Sequence, residues 1–276
     1  MKTPQNQRNP HQQAGFQKLK TLVLAVASLL FLAGCDKTDY LDINASERPP
    51  LSAYISFVNA RPSNAGLQFW TFTTQVTTTP IAPNQASAYL PTVFGNVQIN
   101  VTEGTNTSYK ASLQFGKSAT FSASGRPNGP IATYRHTVFA ARNAKATADT
   151  LILFYDDLKA PAAGKAKLRF VNLSPGVGEL NASLANGTAL FTNVAYGRAA
   201  NSALSGEALS AFSLGPFVSV EPGTVTLNFT RANGTAVGNS GALTLQVGKI
   251  YTVFTHGLAG SNPAFGAQLL EHPVVQ

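Results

Sequence analysis

Val97, Ile99 and Val101 alternate with Gln98, Asn100 and Thr102, and Val225, Leu227 and Phe229 alternate with Thr226, Asn228 and Thr230. A period of two puts one set of side chains on a buried face and the other on the opposite face, so each run reads as a half-buried strand. Leu180, Ala182 and Leu184 repeat the pattern and lead into Asn186-Gly187, a favoured hairpin turn because both residues tolerate positive φ. Pro222-Gly223 and Asn233-Gly234 give further turns, and the runs 150–155 and 267–270 are expected to be closing strands. Outside the N-terminus no stretch sustains a helical stripe. Short strands with a turn every roughly 8–12 residues predict β-sandwich architecture.

The pattern occurs twice. Ala53-Tyr54-Ile55-Ser56-Phe57-Val58-Asn59, followed by Pro62 and Leu67, matches Ala166-Lys167-Leu168-Arg169-Phe170-Val171-Asn172, followed by Pro175 and Leu180. The block from Gly95 to Thr102 matches Gly223 to Thr230, and Thr137-Val138-Phe139 matches Thr252-Val253-Phe254. The order of blocks is the same, with an insertion in the second copy near 202–211. Repeats of this size suit whole domains, whereas solenoid units are far shorter. The expectation is therefore an all-β chain of two tandem Ig-like antiparallel β-sandwich domains, residues 53–160 and 161–276. Only 156–165 joins them, so they are expected to pack together.

The N-terminus departs from this pattern. Lys2, Arg8, Lys18 and Lys20 precede an uncharged run from Thr21 to Gly34, which is shorter than the about 20 apolar residues of a membrane span and suits a signal-peptide core. The run ends in Leu32-Ala33-Gly34-Cys35, and here the chain resembles a bacterial lipoprotein precursor, in which this tetrapeptide is the lipobox. The resemblance implies diacylglyceryl transfer to the Cys35 thiol, cleavage after Gly34 and acylation of the new amine. The implied partner is a membrane, through two or three acyl chains that anchor stably where one does not. The implied location is the cell envelope, most readily the outer membrane. Residues 35–52, with adjacent Pro49 and Pro50, read as a tether. Asp36, Asp39 and Asp42 follow the lipobox; among lipoproteins, acids there can direct surface export or inner-membrane retention, so the leaflet stays open.

Only 12% of residues are charged, about half the usual share. The formal charge is +8, and loss of the four leader cations leaves a smaller excess with no dense basic patch, so nucleic acid is not an expected partner. A single Cys excludes an intrachain disulfide framework and a zinc site of several thiolates.

Lys167-Leu168-Arg169-Phe170-Val171-Asn172-Leu173-Ser174-Pro175-Gly176, the Asn186-Gly187 turn, Ala195-Tyr196-Gly197 and Gly248-Lys249-Ile250-Tyr251-Thr252-Val253 are similar to the motifs of a bacterial domain-of-unknown-function family, DUF4397. The second copy carries all four elements in order. The first keeps the opening, with Arg61-Pro62 in place of Ser-Pro, and Thr137-Val138-Phe139. The resemblance implies a β-sandwich on secreted or lipid-anchored proteins and no established reaction.

Candidate chemistry is sparse. No G-x-S-x-G elbow and no D-x-[DN]-x-[DN]-G calcium loop occurs. His136 aligns with Tyr251 in the repeat and reads as structural, and His256 sits at a strand end beside Gly257. Adjacent Asp156 and Asp157 point to opposite faces of an extended chain and cannot converge on a substrate. No catalytic residue, metal ligand or cofactor is predicted. Binding is the better reading. Leu67 and Phe69 should face the core, so Trp70 and Phe72 fall on the opposite face, where an aromatic can stack on a sugar ring or a protein; the alternative is that the neighbouring copy covers this face or that Trp70 anchors a loop. Trp70 aligns with Ser183, so the sandwich does not require it. The expectation is a lipid-anchored envelope protein acting as a non-enzymatic binding or structural module for a glycan or protein. The alternative is a fimbrial-type subunit assembling by strand exchange, and a third reading is an envelope hydrolase.

Overall fold

Among the described residues, strands fall into two sets of eight. The computed structural model describes residues 51–275 except 64, 117–128, 200–216 and 259–260. The signal segment, the lipobox residues Leu32, Ala33, Gly34 and Cys35, the tether up to Pro50 and the 202–211 insertion lie outside the described residues. The first set is β1 (Ala53–Asn59), β2 (Leu67–Thr71), β3 (Thr74–Gln75), β4 (Leu90–Thr92), β5 (Val97–Glu103), β6 (Ala111–Phe115), β7 (Arg135–Arg142) and β8 (Asp149–Tyr155). The second is β9 (Ala166–Val171), β10 (Leu180–Leu184), β11 (Ala189–Val194), β12 (Val218–Val220), β13 (Gly223–Arg231), β14 (Ala236–Leu245), β15 (Ile250–His256) and β16 (Gly266–His272).

Each set builds two four-stranded sheets with the same topology. The orders are β4-β1-β7-β8 and β3-β2-β5-β6 in the first half, and β12-β9-β15-β16 and β11-β10-β13-β14 in the second. The all-β class is as expected. The sheets are not wholly antiparallel, however, because β1 runs parallel to β7 and β9 parallel to β15. Parallel neighbours need a long crossover. Here the intervening strands supply it: between β1 and β7 the chain visits the facing sheet twice, as β2-β3 and as β5-β6, and in between returns as β4 to the other side of β1. Register carries the repeat down to single residues: Ile55 pairs with His136 where Leu168 pairs with Tyr251.

Inside the first sandwich, Ile55 and Phe57 of β1, Leu67 and Phe69 of β2, Val97, Ile99 and Val101 of β5 and Val138 of β7 form one core. The second sandwich repeats this with Leu168, Phe170, Leu180, Leu227, Phe229 and Val253. A third cluster joins the halves: Val58, Phe139 and Phe154 from the first meet Val171, Leu173 and Phe254 from the second. Phe139 and its repeat equivalent Phe254 touch each other, ring centroids 5.4 Å apart. The two inner sheets are thus covered on both faces. That explains the near-continuous burial of β7 and β15, the mark of doubly covered strands. The β3-β2-β5-β6 and β11-β10-β13-β14 sheets lie outermost.

Candidate functional site

Alternation along β2 and β5 puts Gln68, Trp70, Gln98, Asn100 and Thr102 on the outer face of the β3-β2-β5-β6 sheet, turned away from the second sandwich. Across strands Gln68 pairs with Thr102, Trp70 with Asn100, Asn100 with Ser112 and Gln98 with Gln114. The indole Nε1 of Trp70 donates to Thr102 Oγ1 at 3.1 Å, which lays the ring along the sheet. Thr102 and Asn100 beside it are buried, 0% and 1% exposed, although they stand on the outer face. Trp70 itself is half-buried. Asn100 Nδ2 donates to the Phe72 carbonyl at 2.7 Å, and Asn100 Oδ1 has no partner. Gln98 Nε2 donates to Ser112 Oγ at 2.8 Å. The arrangement is an aromatic plate among amides and hydroxyls, able to take a ring with an apolar face and polar rim. In the second sandwich Ser183 pairs with Asn228 as Trp70 pairs with Asn100, so that face has the polar ladder without the plate.

Phe72 does not join Trp70. β2 ends at Thr71, and Phe72 adopts φ 52 in the turn to β3, which breaks the alternation one residue early. It lines the end of the sandwich with Leu51, Val93 and Phe94.

The described histidines are structural or enclosed. His136 Nε2 accepts from Ile131 N at 3.1 Å, and its repeat equivalent Tyr251 accepts through its hydroxyl from Gln246 N at 3.1 Å. Burial lowers the His136 pKa to about 4, only partly offset by Asp156. His256 packs on Phe254 and against Gly266, and burial lowers its pKa too. Asp156 and Asp157 diverge as expected, since Asp157 reaches Lys167 at 3.4 Å while Asp156 turns inward.

Sequence reasoning missed the network that Asp156 enters. Arg169 and Asp156, both with fully buried side chains, pair at 2.7 Å between the two halves. Thr137 Oγ1 and Tyr89 Oη donate to Asp156 Oδ2 at 2.6 and 2.8 Å. Arg169 Nε donates to Thr252 Oγ1 at 3.0 Å, and its guanidinium stacks 4.5 Å from the Phe217 ring. His272 closes the ring of contacts, Nδ1 at 2.8 Å from Tyr89 Oη and Nε2 at 2.8 Å from Thr252 Oγ1. A carboxylate only accepts, so the Tyr89 proton points at Asp156 and His272 Nδ1 must carry hydrogen. Thr252 then donates to Nε2, and the imidazole is neutral. Burial lowers the His272 pKa to about 4, partly offset by Asp156. Burial alone would raise the Asp156 carboxyl, but Arg169, then His272 and the two hydroxyls, outweigh it and hold it below its ordinary value. Register makes the network a set of equivalent positions: Thr137 with Thr252, Asp156 with His272, Tyr89 with Phe217, Ser56 with Arg169.

The shared Asn of the opening motif is a fold element. Asn59 Nδ2 donates to the carbonyls of Ala65 and Ile81, and Asn172 Nδ2 to those of Gly178 and Val194, all at 2.9 Å. Among the described residues no group of three or more His, Cys, Asp or Glu is placed to hold a metal ion.

Comparison with known proteins bears on the family. The profile of the family described as Domain of unknown function (DUF4397) matches residues 53–183. The resemblance to the family is borne out over residues 53–183; of the four motif elements read in the second copy, the opening at 167–176 lies inside the match and the other three lie beyond it. No curated protein matches the chain. A crystal structure of a proposed cell adhesion protein from Bacteroides uniformis aligns over 83% of this chain and 100% of its own, at 10% identity and a TM-score of 0.23. A score that low does not establish a shared fold.

Proposed function

We propose that the protein is a non-enzymatic binding module held at the cell envelope by acyl chains on Cys35, and that it takes a glycan on the outer sheet face around Trp70. The observation that carries the reading is the position of Trp70. It lies half-open among Gln68, Gln98, Asn100 and Ser112 on the face that the second sandwich leaves uncovered. Stacking on the indole would hold the C–H face of a sugar, and the half-buried amides of Gln68 and Gln98 would meet its hydroxyls, while buried Asn100 supports the plate from below. Engagement of the perturbed side chains supports a non-enzymatic role: Asp156 is held by Arg169, Thr137 and Tyr89, and His136 caps Ile131. Strand exchange finds less support, because among the described residues the two sandwiches have matching sheets and neither lacks a strand that the other has.

A glycan array tests the reading. Wild-type protein should retain a subset of glycans, and Trp70→Ala should weaken retention at least about fivefold, equivalent to about 1 kcal/mol, with the β-sheet circular dichroism unchanged. Unchanged retention by the folded variant would remove this face from consideration.

A further inference from the structure

We infer that the end of the first sandwich formed by Leu51, Phe72, Val93 and Phe94 rests on the lipid bilayer that holds the anchor; this rests on the acylation of Cys35 proposed above. These residues are 65%, 41%, 45% and 42% exposed, and they surround one hollow with Leu90 and Val76. No residue lining that hollow is charged. The apolar surface is presented by two adjacent turns, β2 to β3 and β4 to β5, together with the point where the chain enters the fold.

The second sandwich is less apolar at the corresponding end, where Val247 of the β14 to β15 turn is exposed. Its equivalents of Leu51, Phe72, Val93 and Phe94 are Gly164, Ala185, Glu221 and Pro222, with Lys165 next to Gly164. Lys165 and Glu221 form an ion pair at that end. That end of the second sandwich thus presents an ion pair beside Val247, where the first sandwich exposes two phenylalanines, a valine and a leucine. Phe72 even occupies a left-handed backbone position, φ 52, that disfavours bulky residues. Exposed apolar patches of this kind mark interaction surfaces.

The occupant follows from the covalent route. The 16 residues 35–50 join the acylated Cys to Leu51, so even fully extended they limit the patch to about 55 Å from the anchor. The apolar end is the end at which that segment enters the fold, and burial of Phe72 and Phe94 at the interface would add to the anchoring. The opposite end of the same sandwich carries the β5 to β6 turn with exposed Tyr109, which should stay in water.

The test uses the native lipidated protein, purified from membranes and reconstituted in phosphatidylethanolamine–phosphatidylglycerol vesicles with brominated acyl chains. Trp70→Phe removes the single Trp, and one new Trp is placed at position 94, 72 or 109. Emission from Phe94→Trp and Phe72→Trp should be quenched about twofold or more, and emission from Tyr109→Trp should not change. Two positions guard against one variant failing to fold. Absence of quenching at both 94 and 72, or equal quenching at 109, overturns the inference. Mass analysis of the N-terminal peptide from the same sample separates the two readings. An acylated Cys35 without quenching leaves the anchor standing and removes the docking surface; an unmodified Cys35 overturns both.

Discussion

Replacing Asp156 by Leu strands a guanidinium with no route to water. Arg169 has 0% side-chain exposure, and an arginine cannot shed its proton to escape the penalty. Breaking a buried pair in this way costs about 3–5 kcal/mol. The hydroxyl protons of Tyr89 and Thr137 lose their acceptor at the same time, so the upper half of that range is expected. Arg169→Met should cost less, because Asp156 keeps both hydroxyl donors and can take up a proton. The double variant Asp156→Leu with Arg169→Met replaces the pair by apolar groups and should be less damaging than Asp156→Leu alone. Guanidinium unfolding at neutral pH, followed by Trp70 fluorescence and by circular dichroism, measures all three. Since Asp156 and Arg169 belong to different halves, the single variant should also separate the two probes into successive transitions. A loss below about 1 kcal/mol for Asp156→Leu, or a double variant as unstable as the sum of the singles, would refute the reasoning.

Acid should destabilise the fold well before carboxylates titrate. His136 and His272 are held neutral with pKa values of about 4, against an ordinary 6.5, so below pH 6.5 the unfolded chain binds protons that the folded chain refuses. Stability is full above pH 6.5 and falls as pH drops towards 4, by about 3 kcal/mol for each histidine; below that, protonation of Asp156 removes more. A flat unfolding midpoint between pH 7 and 4.5 would contradict this. Asn172→Ala leaves the Gly178 and Val194 carbonyls and the Ser174 amide without their partner, and should cost about 3 kcal/mol in a denaturant titration; Asn172→Ser should recover little. Protease treatment of intact cells, read by loss of the folded fragment, decides the exposed leaflet. Globomycin-type inhibition of lipoprotein signal cleavage should retain residues 1–34, and Cys35→Ser should release the protein from the membrane fraction.

The sequence pattern was most legible where one face meets water. In β5 the alternation of Val97, Ile99 and Val101 with polar residues gave both the strand and its buried side. The inner strands hid their second interface, because Phe139 and Phe254 stand next to Val138 and Val253 and a continuous apolar run does not say what covers it. The parallel β1–β7 pair was invisible, since direction depends on the route of the whole crossover. Trp70 was placed correctly by counting twos from Leu67 and Phe69. Phe72 was not, because one left-handed residue ends the count. Arg169 was readable as part of a motif, but nothing near it in the chain announced that its partners would be Asp156 on one side and Thr252 on the other.

Phe139 against Phe254, and the facing of Asp156 with His272, have a consequence for how such proteins can assemble. Matching patches mated to each other make an isologous contact, the geometry of a closed two-fold dimer, here carried within one polypeptide. Fusion of the two protomers frees them from identity, so one can supply the cation and the other the anion where a true homodimer would confront like with like. It also exhausts the shared patch: a third module has no equivalent surface to bind, and growth into a filament by this contact is closed off.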